Sequence, residues 1–571
     1  MEDHVKGGPD SVGLIFRYVR KRRVCSTSSS CKSVCSLGGV SAAIAGVMCL
    51  RMANQWKRDF APASGYAPFP DADDDNDDAG RGTVFEDADH ARTTRSTKSG
   101  IHLGLRNMSE LMNFLPAVTI PYVHIAGTNG KGSVSAMIDS CLRDAGLRTG
   151  RYNSPHLITI RDAILLNGKE ADADTYESHR ETVEIIIREN SLEASEFEIT
   201  TAIAYSIFAA KASELDVLII ECGMGGLRDA TNVLDTKFQL CAILTTVDLD
   251  HQGFLGDTIE AIAGDKLGIT TPDGILLVGK QDHAEVYGMA QRKASDLNVD
   301  VYETDRNPQP DGSASSNFGH TSAQTVRVVL DWVQNSPATS LSVSLPLAGE
   351  HQMDNLATAL MAVQILAHHD RCLGILPRLQ SVNGDSMRRG IKKTVWKGRC
   401  SWIRVFYPPA SLGPVSPSLK QVEILVDGAH NSSAALQLRR YIDNLQVPSM
   451  TPITYIIGLS KSPPKTPASV LQPLLAGCRS VDRVIPVSFT TPIEGMPWIS
   501  NVPMEDVRKA AIESGIWPEN VIAITGEPDS PTGATLLQAL QTLPNRDPGI
   551  VVVTGSLYLV ADAYRMMEED S

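Results

Sequence analysis

From about Ile101 the chain alternates between short apolar runs and amphipathic stretches of helical period. The runs Tyr122–Ala126, Val217–Glu221, Leu240–Val247, Ile275–Val278, Ile453–Ile457, Val521–Ile524 and Ile550–Thr554 are bounded by Gly, Asp, Asn or Thr and are predicted strands. Helix-period segments lie between several of them, among them Ser133–Ala145, Tyr176–Glu189 and Ala357–His368. Such alternation predicts an α/β fold with parallel sheets and helices on both faces. Pro/Gly/Ser-rich stretches at 307–324 and 407–419 read as surface insertions, the second between the apolar runs Trp402–Phe406 and Val422–Val426. A further loop, Ser460–Ser469, contains PPKTP. There is no internal repeat. A domain boundary is expected near 385–395, after the helix beginning around Asn355, where polar MRRGIKK precedes a new set of strands. That gives domains of 101–388 and 389–571.

Composition sharpens this picture at the amino-terminal end. The 571 residues carry a net charge of −14, with 42% hydrophobic and 21% charged residues. These values exclude a wholly disordered chain and an overall basic nucleic-acid binder. Residues 1–58 hold ten Lys/Arg against three Asp/Glu, whereas 71–89 hold nine acids against one Arg. The basic cluster Arg17–Arg23 precedes an uncharged stretch between Lys32 and Arg51 with a short apolar heart, Val40 to Leu50. This leader reads either as a signal anchor or organellar presequence, or as a disordered extension. Residues 61–100 read as a solvated linker. Ten cysteines without CxxC or Cys/His spacing do not indicate zinc, and suit a reducing compartment. Localisation is expected to be cytoplasmic, or mitochondrial through the leader.

The strongest local signal is VHIAGTNGKGSVSAM, Val123–Met137. A strand runs into Gly127-Thr128-Asn129-Gly130-Lys131-Gly132-Ser133 and directly into a helix. Glycines let backbone N–H groups converge on phosphate oxygens, and a helix N-terminus adds favourable partial charge. Lys131 could neutralise β/γ oxygens and Ser133 could ligate Mg²⁺. The turn departs from the strict P-loop: no Gly stands five before the Gly-Lys pair, and Gly132 separates Lys131 from Ser133. A Gly-rich strand-helix turn without a ligand is the other reading.

Further stretches follow in order: Tyr152-Asn153-Ser154-Pro155-His156-Leu157; Phe197-Glu198 with Thr200-Thr201-Ala202; Glu221-Cys222-Gly223-Met224-Gly225-Gly226 running to Asp229-Ala230-Thr231-Asn232; Asp250-His251; and Asp265-Lys266-Leu267-Gly268-Ile269. Beyond them come Gly349-Glu350-His351-Gln352 with Asn355, Lys397-Gly398-Arg399, Asp427-Gly428-Ala429-His430-Asn431 and Thr554-Gly555-Ser556-Leu557. Over roughly residues 101–560 the chain resembles the folylpolyglutamate synthase and dihydrofolate synthase branch of the Mur ligase superfamily. The resemblance implies a P-loop-like Mur ligase central domain followed by a smaller Rossmann-like α/β domain. It implies ATP-dependent joining of L-glutamate to a pteroate or folate carboxyl, through an acyl phosphate.

Such chemistry builds up negative charge, which metal ions and fixed donors stabilise without covalent groups on the protein. The resemblance implies Ser154, Glu221 and His251 as Mg²⁺ ligands, with Ser133 as a further contact and Lys266 as a lysine carbamylated to help hold a second ion. Lys131, His251, Lys266 and His430 are the implied catalytic residues. The turn Gly127–Ser133 with Asn355, Arg399 and Asp427 is implied to hold ATP: Arg399 on phosphate, Asp427 on ribose and Asn355 near adenine. Asp229, Thr200 and Phe197 would face the pterin, though for Phe197 core packing reads as well as stacking. K⁺ dependence, a monomeric state and no nucleic-acid partner are further implications.

Asn129, where eukaryotic polyglutamylating enzymes carry Lys, resembles dihydrofolate synthases and bacterial bifunctional enzymes, and the segment with Asp162, where polyglutamylating enzymes show Glu-Arg, resembles dihydrofolate synthases of fungal type. Substrates are then 7,8-dihydropteroate, ATP and L-glutamate. Extension of a folate glutamate tail is the alternative, and an inactive nucleotide-binding relative a third reading. Two departures from the family stand in the second half: LSKSPPK replaces an acidic Asp-Lys-Asp turn, and Ser432 replaces Pro after His430-Asn431.

Overall fold

The computed structural model describes residues 104–304, 309–310, 324–330, 339–409, 419–524, 535–544 and 548–567. The leader and most of both expected insertions therefore lie outside the described residues. All described residues belong to one contact unit, Asp87–Ser571.

The apolar run Tyr122–Ala126 (β1), wholly buried, is the centre of an eight-stranded sheet. Its companions are β2 (Thr149–Tyr152), β3 (Ile164–Leu166), β4 (Lys169–Glu170), β5 (Val217–Glu221), β6 (Gln239–Leu244), β7 (Ile275–Val278) and β8 (Asp300–Glu303). The order is β4-β3-β2-β5-β1-β6-β7-β8, parallel from β2 to β8, with β3 and β4 antiparallel. β1 pairs with β5 on one side and β6 on the other, so the carboxyl ends of all three open at one place, where open α/β sheets bind ligands. A small antiparallel sheet follows, of β9 (Gln309–Pro310), β10 (Gln324–Leu330) and β11 (Thr339–Leu345).

The second sheet holds β12 (Ser401–Tyr407), β13 (Lys420–Asp427), β14 (Ile453–Ile457), β15 (Arg483–Pro486) and β16 (Ile550–Thr554), ordered β12-β13-β16-β14-β15. Only the β12–β13 pair is antiparallel. This mixed α/β architecture agrees with the fold expected from sequence.

Differences in detail have local causes. The run Leu240–Val247 leaves the ladder at Leu244 because Thr245 and Thr246 turn toward the phosphate-type turn: Thr128 N donates to Thr246 O at 2.7 Å, and Thr245 Oγ1 to Asn129 O at 2.8 Å. Val521–Ile524 is not a strand; Val521 makes one isolated bridge to Val484 directly after the turn Pro518–Asn520. The helix expected over Ala357–His368 begins earlier, at His351, behind a Gly349 with φ of 102°.

The polar-looking MRRGIKK is most of an amphipathic helix, Gly384–Lys392, whose Met387 and Ile391 join the core under the first sheet. It crosses the helix Lys131–Asp144 so closely that a Cβ on Gly390 would stand 2.5 Å from Cys141 Cα. Among the described residues no helix is long and apolar enough to cross a membrane.

Candidate active site

One cavity of about 1970 Å³ lies between the two sheets. Every site residue expected from sequence lines it except Gly127 and Lys266. The turn after β1 delivers the helix Lys131–Asp144 with Gly130 as its N-cap. Gly130 has φ of 91°, and a Cβ there would stand 2.3 Å from Asn355 Oδ1. Its glycine is required twice, by backbone conformation and by that close approach. Asn355 is held in turn by Gln352, to whose Oε1 it donates at 3.0 Å.

Two ammonium groups converge on this turn. Lys131 Nζ donates to the carbonyls of Gly127 (3.2 Å) and Thr128 (3.3 Å) and stands 3.8 Å from Glu221 Oε1. Lys266 Nζ, fully buried behind the turn, donates to Gly127 O at 2.9 Å. Burial first, then the charge of Lys131, bring Lys266 down to about 8. Its amine is thus partly neutral near physiological pH.

Glu221, at the end of β5, is buried, and burial raises its carboxyl above the usual range against the pull of Lys131. Asn153 Nδ2 donates to Glu221 Oε2 at 2.6 Å and to Ser135 Oγ at 2.7 Å, fixing the carboxylate from behind. Ser154 Oγ is buried with no hydrogen-bond partner. A buried carboxylate beside an orphaned hydroxyl is a donor set that suits a hard divalent cation. Among the described residues no three His, Cys, Asp or Glu side chains gather at metal-holding distances. Any such ion therefore depends on the serine and on substrate oxygens as well.

His251 sits in a left-handed conformation (φ 52°) at the head of the short helix Gln252–Leu255. Burial lowers its imidazole to about 4, with Asp250 opposing.

The loop that continues from Glu221 after β5 is tied by Asp229. Its carboxylate accepts from Met224 N (2.7 Å), Thr231 N (3.0 Å) and Thr231 Oγ1. Phe197 stacks on Tyr152 with ring centroids 6.5 Å apart, at 26°. Phe197 also packs against Gly223, so the ring is partly core and partly cavity wall. Thr200 lines the cavity and donates to Glu196 O at 2.9 Å. Asp162 is structural: it accepts N–H groups from Leu157, Ile158 and Thr159 and so shapes the loop after Ser154.

From the second sheet, Asp427 at the end of β13 accepts from Cys400 N and Ala429 N, both at 2.8 Å. Arg399 donates to Gly398 O at 3.1 Å and lines the cavity. His430 Nδ1 lies 2.9 Å from Gly428 O; a carbonyl only accepts, so Nδ1 carries the proton and Nε2 is the acceptor. Burial lowers the His430 imidazole.

Sequence reasoning assigned no role to Asn153, Asp250, Asn431, Trp396 or Lys465. Asp250 Oδ1 is 2.7 Å from Lys465 Nζ, and Asp250 Oδ2 accepts from Asn431 Nδ2 at 3.1 Å. Trp396 packs on Gly132 and under Arg151. Asn153, Asp250 and Asn431 stand inside motifs quoted above without a role of their own, and Lys465 closes the departure LSKSPPK.

A phosphate-type turn at the end of a central parallel strand, facing a second α/β sheet across a deep cavity, suits a nucleotide-dependent enzyme, and the family comparisons make it a ligase of Mur type. The Mur ligase middle domain matches residues 125–363, and the dihydrofolate synthetase C-terminal domain matches residues 415–566. The chain belongs to the dihydrofolate synthetase family. A relative from Schizosaccharomyces pombe, named "Probable dihydrofolate synthetase", is 32% identical over 473 residues, 82% of this chain and 99% of the relative. The dihydrofolate synthetase of Saccharomyces cerevisiae is 29% identical, covering 82% and 98% respectively. A Mycobacterium tuberculosis relative named for both dihydrofolate synthase and folylpolyglutamate synthase is 30% identical, covering 67% and 74%. Among solved structures, Mycobacterium tuberculosis folylpolyglutamate synthase complexed with ADP and AMPPCP superposes with a TM-score of 0.63 at 25% identity, covering 82% of this chain and 96% of that one.

Proposed function

We propose that this chain joins L-glutamate to 7,8-dihydropteroate, converting ATP to ADP and phosphate and giving dihydrofolate. What carries the reading is the match to two fungal dihydrofolate synthetases over 99% and 98% of their length, together with one cavity lined by most of the residues the reaction calls for. The pteroate carboxylate attacks the γ-phosphorus of ATP, ADP leaves, and the glutamate amine then displaces phosphate from the acyl phosphate. Lys131 and the first-turn amides of its helix meet the transferring phosphate, and Arg399 approaches from the other sheet. Asn355 and Asp427 hold the nucleoside. The attacking ammonium must shed a proton, and His430 Nε2, neutral and aimed by Gly428, accepts it.

Ser154, Glu221 and His251 would hold Mg²⁺, with Ser133 adjacent. The ion supplies neutralisation of the β- and γ-phosphate oxygens when bound. Carbamylation of Lys266 fits its lowered basicity, and would convert a repelling ammonium into a carboxylate facing that ion. The pterin lies along Phe197 and Thr200, with Asp229 shaping its loop. We place the boundary between the two halves after Lys392, since Ile391 still packs in the first core.

The second reading, tail extension on tetrahydrofolate, is favoured by the bifunctional Mycobacterium tuberculosis relative. The test supplies purified protein, ATP, Mg²⁺ and glutamate with either 7,8-dihydropteroate or tetrahydrofolate. Glutamate incorporation with dihydropteroate is expected. Turnover of tetrahydrofolate alone would overturn the proposal, and turnover of neither would leave a nucleotide-binding relative.

A further inference from the structure

Asp250 is the residue before the metal-site histidine, yet two of its three partners come from the other half of the molecule. Its Oδ1 accepts the His251 N–H at 2.8 Å and pairs with Lys465 Nζ at 2.7 Å. Its Oδ2 accepts from Asn431 Nδ2 at 3.1 Å. The carboxylate is only 4% exposed and Lys465 20%, so this is an enclosed, charge-assisted bridge rather than a surface pair.

Asn431 is itself fixed. Its Oδ1 caps the helix Ser432–Asn444 by accepting Ala434 N at 2.9 Å, and its Nδ2 also reaches Asn129 Oδ1 at 3.3 Å. The loop carrying Lys465 packs on the same segment, since a Cβ on Gly253 would stand 3.7 Å from Pro463 O. Lys465 N donates to Ser462 O, giving the loop a turn of its own, and Thr466 caps the next helix. Two loops of the second half therefore converge on the short segment that presents His251.

We propose that Lys465 and Asn431 form a two-point latch on Asp250, making Lys465 a positioning residue that sets the His251 segment only when the two halves are closed. The inference rests on the ligase reading above. Lys465 also lines the cavity; its role in this proposal is exerted through Asp250. The latch makes the His251 geometry conditional on closure, so phosphoryl transfer is confined to the closed cleft.

The test compares wild type with Lys465→Met, Lys465→Arg, Asp250→Asn and Asp250→Asn/Lys465→Met, all as full-length chains. Lys465→Met is expected to lower kcat by about 10- to 100-fold with KM for ATP within about threefold, the cost of a small misplacement at the reacting centre. Lys465→Arg keeps the charge and recovers most of that loss. In the double variant the two losses do not multiply, because they break one bridge. Independently of turnover, Lys465→Met speeds hydrogen exchange of the amides over 251–255 in the nucleotide-bound protein. Multiplying losses, an unchanged exchange rate, or a raised glutamate KM at unchanged kcat would each overturn the latch; the last would make Lys465 a substrate contact. Failure of the ligase reading shows instead as an inactive wild type, with the exchange comparison still deciding the latch.

Discussion

The turn Gly127–Ser133 and the loop Ser460–Thr466 occupy equivalent places in the two sheets. Each follows a buried interior strand, β1 or β14, and each runs into a helix, Lys131–Asp144 or Pro467–Leu475. Their chemistry is opposite. The first is glycine-rich and works through its backbone: the amides opening its helix have no intrahelical acceptor and face the cavity. The second contains Pro463 and Pro464 and leads into Pro467, three residues with no N–H to offer. A proline loop cannot cradle an anion with its backbone, so it contributes side chains, above all Lys465. One position in the fold thus serves as a binding surface in one half and as a fastening in the other.

That contrast can be broken in several ways, the largest effect first. Glu221→Gln removes the charge that faces Lys131 and that a divalent cation would share, and should lower kcat by about 10³-fold while leaving thermal unfolding within a few degrees, read by steady-state kinetics and calorimetry. Next, Gly130→Ala should cost about 1–3 kcal/mol at the turn, because φ of 91° and Asn355 both oppose a side chain, and should raise KM for ATP. Pro464→Ala, in contrast, should leave KM for ATP unchanged within about twofold, since no backbone donor is lost. Equal losses from these two would erase the distinction drawn between the loops.

A third test concerns the buried wall behind the first turn. His124 on β1 is enclosed, its Nε2 within 2.9 Å of Thr231 Oγ1, and burial lowers it to about 3 from an ordinary value near 6.5. Its folded value is the lower one, so below pH 6.5 the unfolded chain takes up a proton that the folded chain refuses. Stability from this group is complete above pH 6.5 and declines as pH falls toward 3. Denaturant titrations of His124→Gln should show a shallower loss between pH 6.5 and 4 than wild type. The smallest effect is expected at Asn444, whose 3.3 Å contact with Glu350 also joins the two halves but is exposed. Asn444→Ala should change kcat by less than about twofold, consistent with the low worth of exposed polar contacts.

The sheets were legible where a strand is an uninterrupted apolar run: β1, β5, β7, β14 and β16 begin and end where the pattern does, whereas the parallel strands β2 (TGRY) and β8 (DVYE) carry no such run. Failures came where a run serves something other than a ladder. Thr245 and Thr246 look like strand and belong to the turn, and MRRGIKK looks like a polar connection because its Met and Ile lie on one helical face. Much of the site was legible too, since glycine spacing and strand-end acids are local signals. Asp229 and Asp162 could be found but not understood from sequence, because their carboxylates are spent on neighbouring amides. Lys465 was invisible for a different reason: its meaning lies in Asp250, and no local spacing joins a lysine in a proline loop to an aspartate in the other half.

Trp396 stands in the connection between the two halves, with its indole against Gly132 and 5.3 Å beneath the Arg151 guanidinium. It makes the connection a fulcrum resting on the nucleotide turn. Movement of this connection would shift the indole against the turn and the Arg151 cation, both of which alter its emission. The enzyme therefore carries a native optical gauge of its own gape, and substituting Trp396 with Phe would remove its signal from the nucleotide response.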